Sequence, residues 1–121
     1  MRILLVEDLT GQARLIHKII LKHDSHEVII CKDAFEAFAA LRAISGIDVV
    51  ILDNELPFAQ GMDLLQKIRS TPDLQNLKII MNTADEEFDS FQTLGADDCL
   101  KKPFVKEELF SLLDKYKNLS A

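Results

Sequence analysis

Acidic side chains follow two apolar runs of the sequence at the points where those runs end. Glu7 and Asp8 come directly after the run at 3–6, and Asp53 directly follows the run at 49–52. Carboxylates that lie close together repel one another, so they do not all ionise unless a cation sits among them. Oxygen ligands of high charge suit Mg²⁺ or Mn²⁺. If these carboxylates meet, they form a site for a divalent ion.

A hydroxyl and an ammonium group follow two later apolar runs. Thr83 comes soon after the run at 78–81, and Lys102 comes soon after the pair at 99–100. An aspartate beside a metal ion can attack phosphorus and form an acyl phosphate, because the cation offsets charge on the transferring group. Lys102 would add a positive charge at one phosphoryl oxygen, and Thr83 would offer its hydroxyl to another. This set of groups predicts transfer of a phosphoryl group onto Asp53.

The elements that would bring these side chains together are short strands alternating with helices. The apolar, β-branched-rich runs are Ile3–Val6, Val28–Cys31, Val49–Leu52, Lys78–Met81 and Cys99–Leu100. Apolar residues at helical spacing follow each of these runs. Repetition of strand and helix predicts parallel strands joined by right-handed crossovers. The predicted fold class is α/β: a five-stranded parallel sheet, doubly wound and flavodoxin-like, a (βα)5 fold with strand order 2-1-3-4-5.

The loop after the third predicted strand has its own signals. In an open sheet of this kind, ligands bind just beyond the carboxyl ends of the strands. Pro57 and Gly61 shape the loop that follows Asp53, and the restriction before proline keeps Leu56 extended so that the next helix cannot start early. A backbone carbonyl in this loop, that of Glu55, is then expected to face the metal.

Length and composition limit the classes of protein to consider. The 121 residues predict one domain over 1–121, and the net charge of -6 argues against direct nucleic acid binding. No apolar run approaches the roughly 20 residues that span a bilayer, so we expect a soluble, cytoplasmic protein with no membrane association. Cys31 and Cys99 are predicted to be buried, reduced thiols rather than a disulfide.

Some residues that could carry chemistry also have simpler explanations. His17, His23 and His26 invite a metal or phosphohistidine interpretation, but "SHEV" at 25–28 precedes a predicted strand rather than a helix. We therefore expect surface histidines. Thr83 is also a candidate helix N-cap, with Glu86 as its capping-box partner.

Four segments of the chain, in order, are similar to those of one protein family. These segments are "ILLVED" at 3–8, "VVILDNELPFAQG" at 49–61, "IIMNTA" at 79–84 and "GADDCLKKPF" at 95–104. Together they resemble the receiver domains of two-component response regulators, and the resemblance covers the whole chain. It implies that Asp53 is a phosphoacceptor, which takes its phosphoryl group from a histidine kinase or a phosphotransfer protein.

The resemblance also implies roles for the neighbouring groups. Glu7 and Asp8 are similar to the acidic pair that holds Mg²⁺ in receivers, Asp8 directly and Glu7 mainly through water. Thr83 is similar to the hydroxyl that swings towards the phosphoryl group in the active state. Lys102 is similar to the lysine that pairs with phosphate, and Lys102–Pro103 to the family's cis peptide.

The chain departs from the family pattern at several positions. Cys99 lies where receivers often carry Tyr or Phe, and its side chain is too small to act as that aromatic switch. Ala84 follows Thr83 in the predicted switch segment. Glu55 adds a negative charge near the incoming phosphate. We predict that Glu55 and Asp85 tune the lifetime of the acyl phosphate.

Several functions compete at this point. The first is a phosphorylation-activated switch that signals to an unknown output partner through the face made by helix 4, strand 5 and helix 5. It would not be a turnover enzyme, although it takes part in its own phosphotransfer and dephosphorylation. The alternatives are a receiver-like protein-binding module that is never phosphorylated, an aspartyl-phosphate phosphatase of the haloacid-dehalogenase type, and a flavodoxin. The phosphatase would need its nucleophile after the first strand, and "EDLTGQ" at 7–12 is a poor flavin phosphate loop. The sequence leaves the partner kinase open, and also whether the chain stands alone.

Overall fold

The computed structural model describes residues 1–84 and 88–120, so Asp85 and Glu86 lie outside the described residues. Strands β1 to β5 of the described chain are Arg2–Val6, Glu27–Cys31, Val49–Asp53, Lys78–Thr83 and Asp98–Lys101. Helices α1 to α5 are Thr10–His23, Ala34–Ala43, Gly61–Arg69, Phe88–Thr93 and Lys106–Ser120. A 3₁₀ turn, Pro72–Leu74, precedes β4. Strands and helices alternate as the apolar runs predict.

The strands form one parallel sheet in the order β2-β1-β3-β4-β5, which confirms the predicted fold class and strand order. All five residues of β3 are buried. This strand pairs with β1 on one side and with β4 on the other, so its backbone amides and carbonyls have partners along both edges. The carboxyl end of β3 is therefore held from both sides at the centre of the sheet.

The core consists of two layers, one on each face of the sheet. Leu4, Val50 and Ile79 face a layer completed by α2, α3 and α4. Ile3 and Val49 face the opposite layer, which α1 and α5 complete. Because helices cover both faces, residues that point to either side are buried. This explains why the apolar runs of these strands lack alternation.

Side chains cap the N-termini of helices α2 and α3. The Asp33 carboxylate accepts a hydrogen bond from the Glu36 amide at 2.7 Å, as expected of an N-cap residue. At α3, Gln60 and Asp63 form a capping box, in which the Gln60 amide donates to the Asp63 carboxylate at 3.1 Å. The helix after β3 therefore begins at a fixed point beyond the loop.

The prediction of surface histidines is wrong for two of the three. His26 is buried, and its Nε2 lies 2.8 Å from Nδ1 of His23, whose Nε2 lies 2.6 Å from the Asp114 carboxylate. The two rings are nearly coplanar, with centroids 5.1 Å apart, so their facing nitrogens point at each other and not at a shared metal position. Burial lowers the pKa of His26. The structural reason is that Phe110 and Asp114 of α5 contact His23, and the N-terminal amine lies 3.2 Å from Nδ1 of His26. No local pattern in the sequence indicates these contacts.

Cys31 and Cys99 are both free, Cys31 buried and Cys99 partly buried. The prediction of reduced thiols is confirmed, although Cys99 is less enclosed than expected. Among the described residues, none of the helices combines the length and the apolar character that crossing a membrane requires.

Candidate functional site

The carboxyl ends of four strands deliver the predicted site residues to one edge of the sheet. Glu7 and Asp8 follow β1, Asp53 is the last residue of β3, Thr83 is the last residue of β4, and Lys102 follows β5. Strands that run parallel in register end together, so residues far apart in sequence become neighbours here. The geometry at this edge decides what chemistry they can do.

Three carboxylates form a cluster at this edge. Glu7, Asp8 and Asp53 each offer one oxygen, and these oxygens all lie within 4.8 Å of one another. Glu7 and Asp53 are each 2 % exposed, and neither Glu7 oxygen meets a hydrogen-bond donor within the described part of the chain. Burial first, and the neighbouring Asp53 carboxylate second, raise the pKa of Glu7 to about 8. Crowded carboxylates favour a cation among them, and the all-oxygen donor set of this cluster fits Mg²⁺ or Mn²⁺.

Lys102 supplies one positive charge beside this cluster. Its Nζ lies 2.9 Å from Oδ1 of Asp53, and the same oxygen accepts a hydrogen bond from the Glu55 amide at 3.0 Å. Burial works to raise the pKa of Asp53, but the neighbouring Glu7 carboxyl, the Lys102 ammonium and the Glu55 segment outweigh it and hold the pKa below its usual value. Burial likewise works to lower the pKa of Lys102, and the Asp53 carboxylate raises it more strongly. Asp53 is thus an ionised carboxylate paired with a cation, as a nucleophile requires.

The loop after β3 fixes the direction of Asp53 through a close backbone approach. A Cβ atom on Gly61 would lie 2.3 Å from the backbone oxygen of Asp53, so only glycine fits there. Phe58, in the same loop, has a positive φ of 70°. Asn54 closes the loop: its Oδ1 accepts the Met62 amide at 3.1 Å, and its carbonyl accepts the Gly61 amide at 2.9 Å.

Asn54 was not predicted to have this role. The signal available in the sequence is an asparagine followed by proline and glycine, a combination that favours side chain to backbone hydrogen bonds in a turn. The buried Asn54 side chain shows that the loop is held by polar contacts and not only by the proline restriction.

The Glu55 side chain lies in the site, where the sequence predicts a negative charge, although its contacts with Thr83 and Lys102 were not predicted. Thr83 donates its hydroxyl to Oε1 of Glu55 at 2.9 Å, and Nζ of Lys102 lies 3.6 Å from the other Glu55 oxygen. The Glu55 carboxylate thus contacts both groups that were expected to hold a phosphoryl group. The Glu55 backbone carbonyl as a metal ligand stays a prediction.

Two of the residues expected to act as a switch, Cys99 and Ala84, are among those that the structure describes. Cys99 pairs with Met81 across β4 and β5, so it occupies the strand position two residues before Lys101, the partner of Thr83. It packs against the core layer of α2, α3 and α4, and burial raises its pKa to about 11. Ala84 is exposed, and Asp85 is not among the described residues. Cys99 is therefore a core thiol near the site rather than a polar member of it.

A groove of about 520 Å³ lies on the other side of Lys102. Its lining is mostly apolar and includes Ile16 and Ile19 of α1 together with Pro103 and Phe104. The peptide bond between Lys102 and Pro103 is cis. Asn82 also lines the groove, and its buried Oδ1 has no donor among the residues that the structure describes. The site is thus open on the side of α1.

Comparisons with known proteins agree with this geometry. A family model described as the response regulator receiver domain matches residues 3–114. Chemotaxis protein CheY-3 of Vibrio cholerae is 29% identical over 118 residues, which cover 95% of this chain and 90% of that protein. Transcriptional regulatory protein TrcR of Mycobacterium tuberculosis is 33% identical over 114 residues, which cover 93% of this chain. The chain spans only 43% of the length of TrcR.

A solved structure leads to the same family. The Mn²⁺-bound form of response regulator Rcp1 superposes with a TM-score of 0.78 at 27% identity, covering 94% of this chain and 89% of that one. The family model matches the part of the chain that forms the sheet and carries the acidic cluster at its edge. The chain therefore belongs to the family of response regulator receiver domains.

Proposed function

We propose that residues 1–121 act as a single receiver domain, a phosphorylation-activated signalling switch that accepts a phosphoryl group on Asp53 in the presence of Mg²⁺. The donor is a histidine kinase or a phosphotransfer protein. The observation that carries the proposal is the buried, ionised Asp53 carboxylate, which lies 2.9 Å from the Lys102 ammonium and within the acidic cluster. Such a carboxylate is both nucleophilic and placed beside positive charge.

In the proposed transfer, a carboxylate oxygen of Asp53 forms a bond to phosphorus. The bond from phosphorus to the histidine nitrogen of the donor breaks, and its electron pair leaves with that nitrogen. In the separate dephosphorylation step, a water oxygen forms a bond to phosphorus and the bond from phosphorus to the Asp53 oxygen breaks. Its electron pair stays on the restored carboxylate, and the water proton leaves with orthophosphate or passes to solvent. Between these two steps the phosphoryl group stays on Asp53, so the domain works as a switch rather than as a turnover enzyme.

The residues that would hold Mg²⁺, or Mn²⁺, are Glu7, Asp8, Asp53 and the backbone carbonyl of Glu55. The fit rests on the oxygen-only donor set and on the two Glu7 oxygens that lack donors within the described residues. When bound, the ion offsets negative charge on the transferring phosphoryl oxygens. The Mn²⁺-bound structure of Rcp1 supports this choice by similarity.

The two remaining groups hold the product. Lys102 stays beside Asp53 and pairs with a phosphoryl oxygen, and Thr83 donates its hydroxyl to another. A phosphoryl group adds about -1.5 to -2 charges at neutral pH, which biases an existing two-state element. We place that element at the carboxyl end of β4, at Thr83, with the output partner binding the face of α4, β5 and α5. No direct contact with nucleic acid is proposed.

We also propose the cytoplasm as the compartment. Phosphorylated donors of this kind need a nucleotide supply, and the two free cysteines suit a reducing environment.

Incubation with acetyl phosphate and Mg²⁺, followed by intact-mass measurement, tests the proposal. We expect a labile adduct with the mass of one phosphoryl group. The adduct should disappear in Asp53→Asn and on chelation of the metal, and it should persist in Asp89→Asn, a matched change on α4. The same adduct in Asp53→Asn would contradict the assignment of the nucleophile. No adduct in the unmodified protein would favour the alternative of an unphosphorylated protein-binding module.

A further inference from the structure

The Glu55 carboxylate lies where an incoming phosphoryl group would need to be recognised. Its two oxygens contact the Thr83 hydroxyl at 2.9 Å and the Lys102 ammonium at 3.6 Å. We propose that Glu55 stands in for the phosphoryl group in the unphosphorylated chain and holds Thr83 turned into the site. On this view, phosphorylation exchanges one anion for another. The inference rests on the proposed function, because it assigns Thr83 and Lys102 an anionic ligand in both states, the Glu55 carboxylate in one and the phosphoryl group in the other.

The tether of Glu55 makes this arrangement specific. The Glu55 amide donates to Oδ1 of Asp53 at 3.0 Å, and that same oxygen lies 2.9 Å from Nζ of Lys102. Glu55, whose side chain accepts the Thr83 hydrogen bond, is thus also hydrogen-bonded through its backbone amide to the carboxylate that would be phosphorylated. That carboxylate belongs to Asp53, two residues earlier in the chain. A change at Asp53 is transmitted directly to Glu55 through this short segment.

Burial explains why Thr83 responds to Glu55. The Thr83 residue is 0% exposed, so bulk water does not replace an acceptor that its hydroxyl loses. The Glu55 side chain is 51% exposed, so it has room to turn outwards. The buried Thr83 hydroxyl therefore donates to an acceptor that has room to turn away, and a phosphoryl oxygen can take the place of that acceptor.

Electrostatic repulsion determines whether the Glu55 carboxylate or the phosphoryl group stays bound to Thr83 and Lys102. A phosphoryl group on Asp53 brings about two negative charges to a position within a few ångströms of the Glu55 carboxylate. Like charges at that separation repel strongly in a partly buried site. Because Glu55 contacts the same two donors, it competes with the phosphoryl group and must turn towards solvent when that group arrives. Glu55 is thus a positioning residue for Thr83 and a competitor for phosphoryl uptake.

The first test needs no phosphate. Three-bond NMR couplings to the Thr83 methyl carbon report whether its side chain keeps one rotamer. We expect one rotamer in the metal-free, unmodified protein and in Glu55→Gln, whose amide oxygen remains an acceptor. We expect averaged couplings in Glu55→Ala. Glu108→Gln, an exposed change on α5, serves as the control and should leave the couplings as they are. Averaged couplings in the unmodified protein, or a single rotamer in Glu55→Ala, would overturn the inference.

The second test measures competition with trifluoroberyllate, an anionic analogue of the phosphoryl group, in the presence of Mg²⁺. Removal of the competing charge in Glu55→Gln should tighten its binding about tenfold relative to the unmodified protein and to Glu108→Gln. Equal affinity in all three proteins would overturn the inference and leave the proposed function standing. Absence of binding in all three proteins would overturn the proposed function, and the inference with it.

Discussion

The ammonium of Lys102 lies 2.9 Å from a carboxylate oxygen of Asp53, although the two residues are 49 positions apart in the chain. This pair links the end of β3 to the segment after β5 across the intervening strand β4. Asp53 is 2 % exposed, whereas the Lys102 side chain is 22% exposed. Lys102 thus lies between solvent and the Asp53 carboxylate, which the sheet buries on its other sides.

Replacement of Lys102 is expected to destabilise the metal-free protein. Lys102→Met removes the cation beside three neighbouring carboxylates, so the free energy of unfolding should fall by about 1–2 kcal/mol, a value reduced by the partial exposure of the pair. Addition of Mg²⁺ should restore part of the loss. Urea unfolding with and without the metal measures both effects.

The control for this change is Lys18→Met, on an exposed position of α1. It should alter the free energy of unfolding by less than about 0.5 kcal/mol. A Lys102→Met variant as stable as this control without metal would show that the pair contributes no stability.

The stability of the metal-free protein should depend on pH through Glu7. Its pKa is raised from 4.5 to about 8 in the folded state, first by burial and then by Asp53. Between these two values the folded chain binds more protons than the unfolded chain, so the free energy of unfolding falls as pH rises through this window. The decrease should be on the order of 1–3 kcal/mol.

Glu7→Gln isolates this contribution, because every other titrating group is kept. Chemical unfolding in chelator at pH 5, 6.5 and 8 should show the difference between the two proteins growing in favour of the variant as pH rises. A difference that stays constant with pH would mean that Glu7 titrates alike in both states.

The affinity for Mg²⁺ should also depend on the titration of Glu7, but it should rise with pH where the free energy of unfolding falls. The proton on Glu7 competes with the cation, so the affinity should rise with pH, by at most about tenfold per unit, and level off above pH 8. Calorimetry in buffers of different ionisation enthalpy measures the proton released on binding. In Glu7→Gln this release should vanish while weaker binding persists. Proton release that is unchanged in the variant would place the titrating group elsewhere.

The close approach of α3 to β3 should make Gly61 intolerant of a side chain. In Gly61→Ala the new Cβ would lie 2.3 Å from the Asp53 backbone oxygen, which requires a shift of the residue that carries the proposed nucleophile. We expect a loss of about 1–3 kcal/mol in the free energy of unfolding and slower formation of the phosphoryl adduct.

Gly11→Ala is the matched control, because a Cβ there meets nothing within 4 Å. As a helical position it should gain up to about 1 kcal/mol. Thermal unfolding of both variants separates the two cases. If Gly61→Ala and Gly11→Ala were equally stable, the loop between β3 and α3 would be able to move and accommodate the added Cβ at little cost in free energy.

The sequence by itself determined the sheet and the edge at which the site forms. Apolar runs such as Val49–Leu52 need burial on both faces, and only a parallel sheet covered by helices on both sides provides it. The carboxyl ends of such strands meet, so Glu7, Asp53 and Lys102 were predicted as neighbours from their positions after the runs. These predictions depend on periodicity and chain order, which are local properties of the sequence.

The tertiary structure alone decided which side chains touch within that edge. The contact of Glu55 with Thr83 depends on the direction of a side chain in a loop, and the enclosure of the His23 side chain depends on its contacts with α5. Neither follows from spacing, because both arise between segments that are distant in the chain. The sequence specifies the strand ends through the hydrophobic pattern, whereas the partner of each polar group is fixed only once packing has excluded water from it.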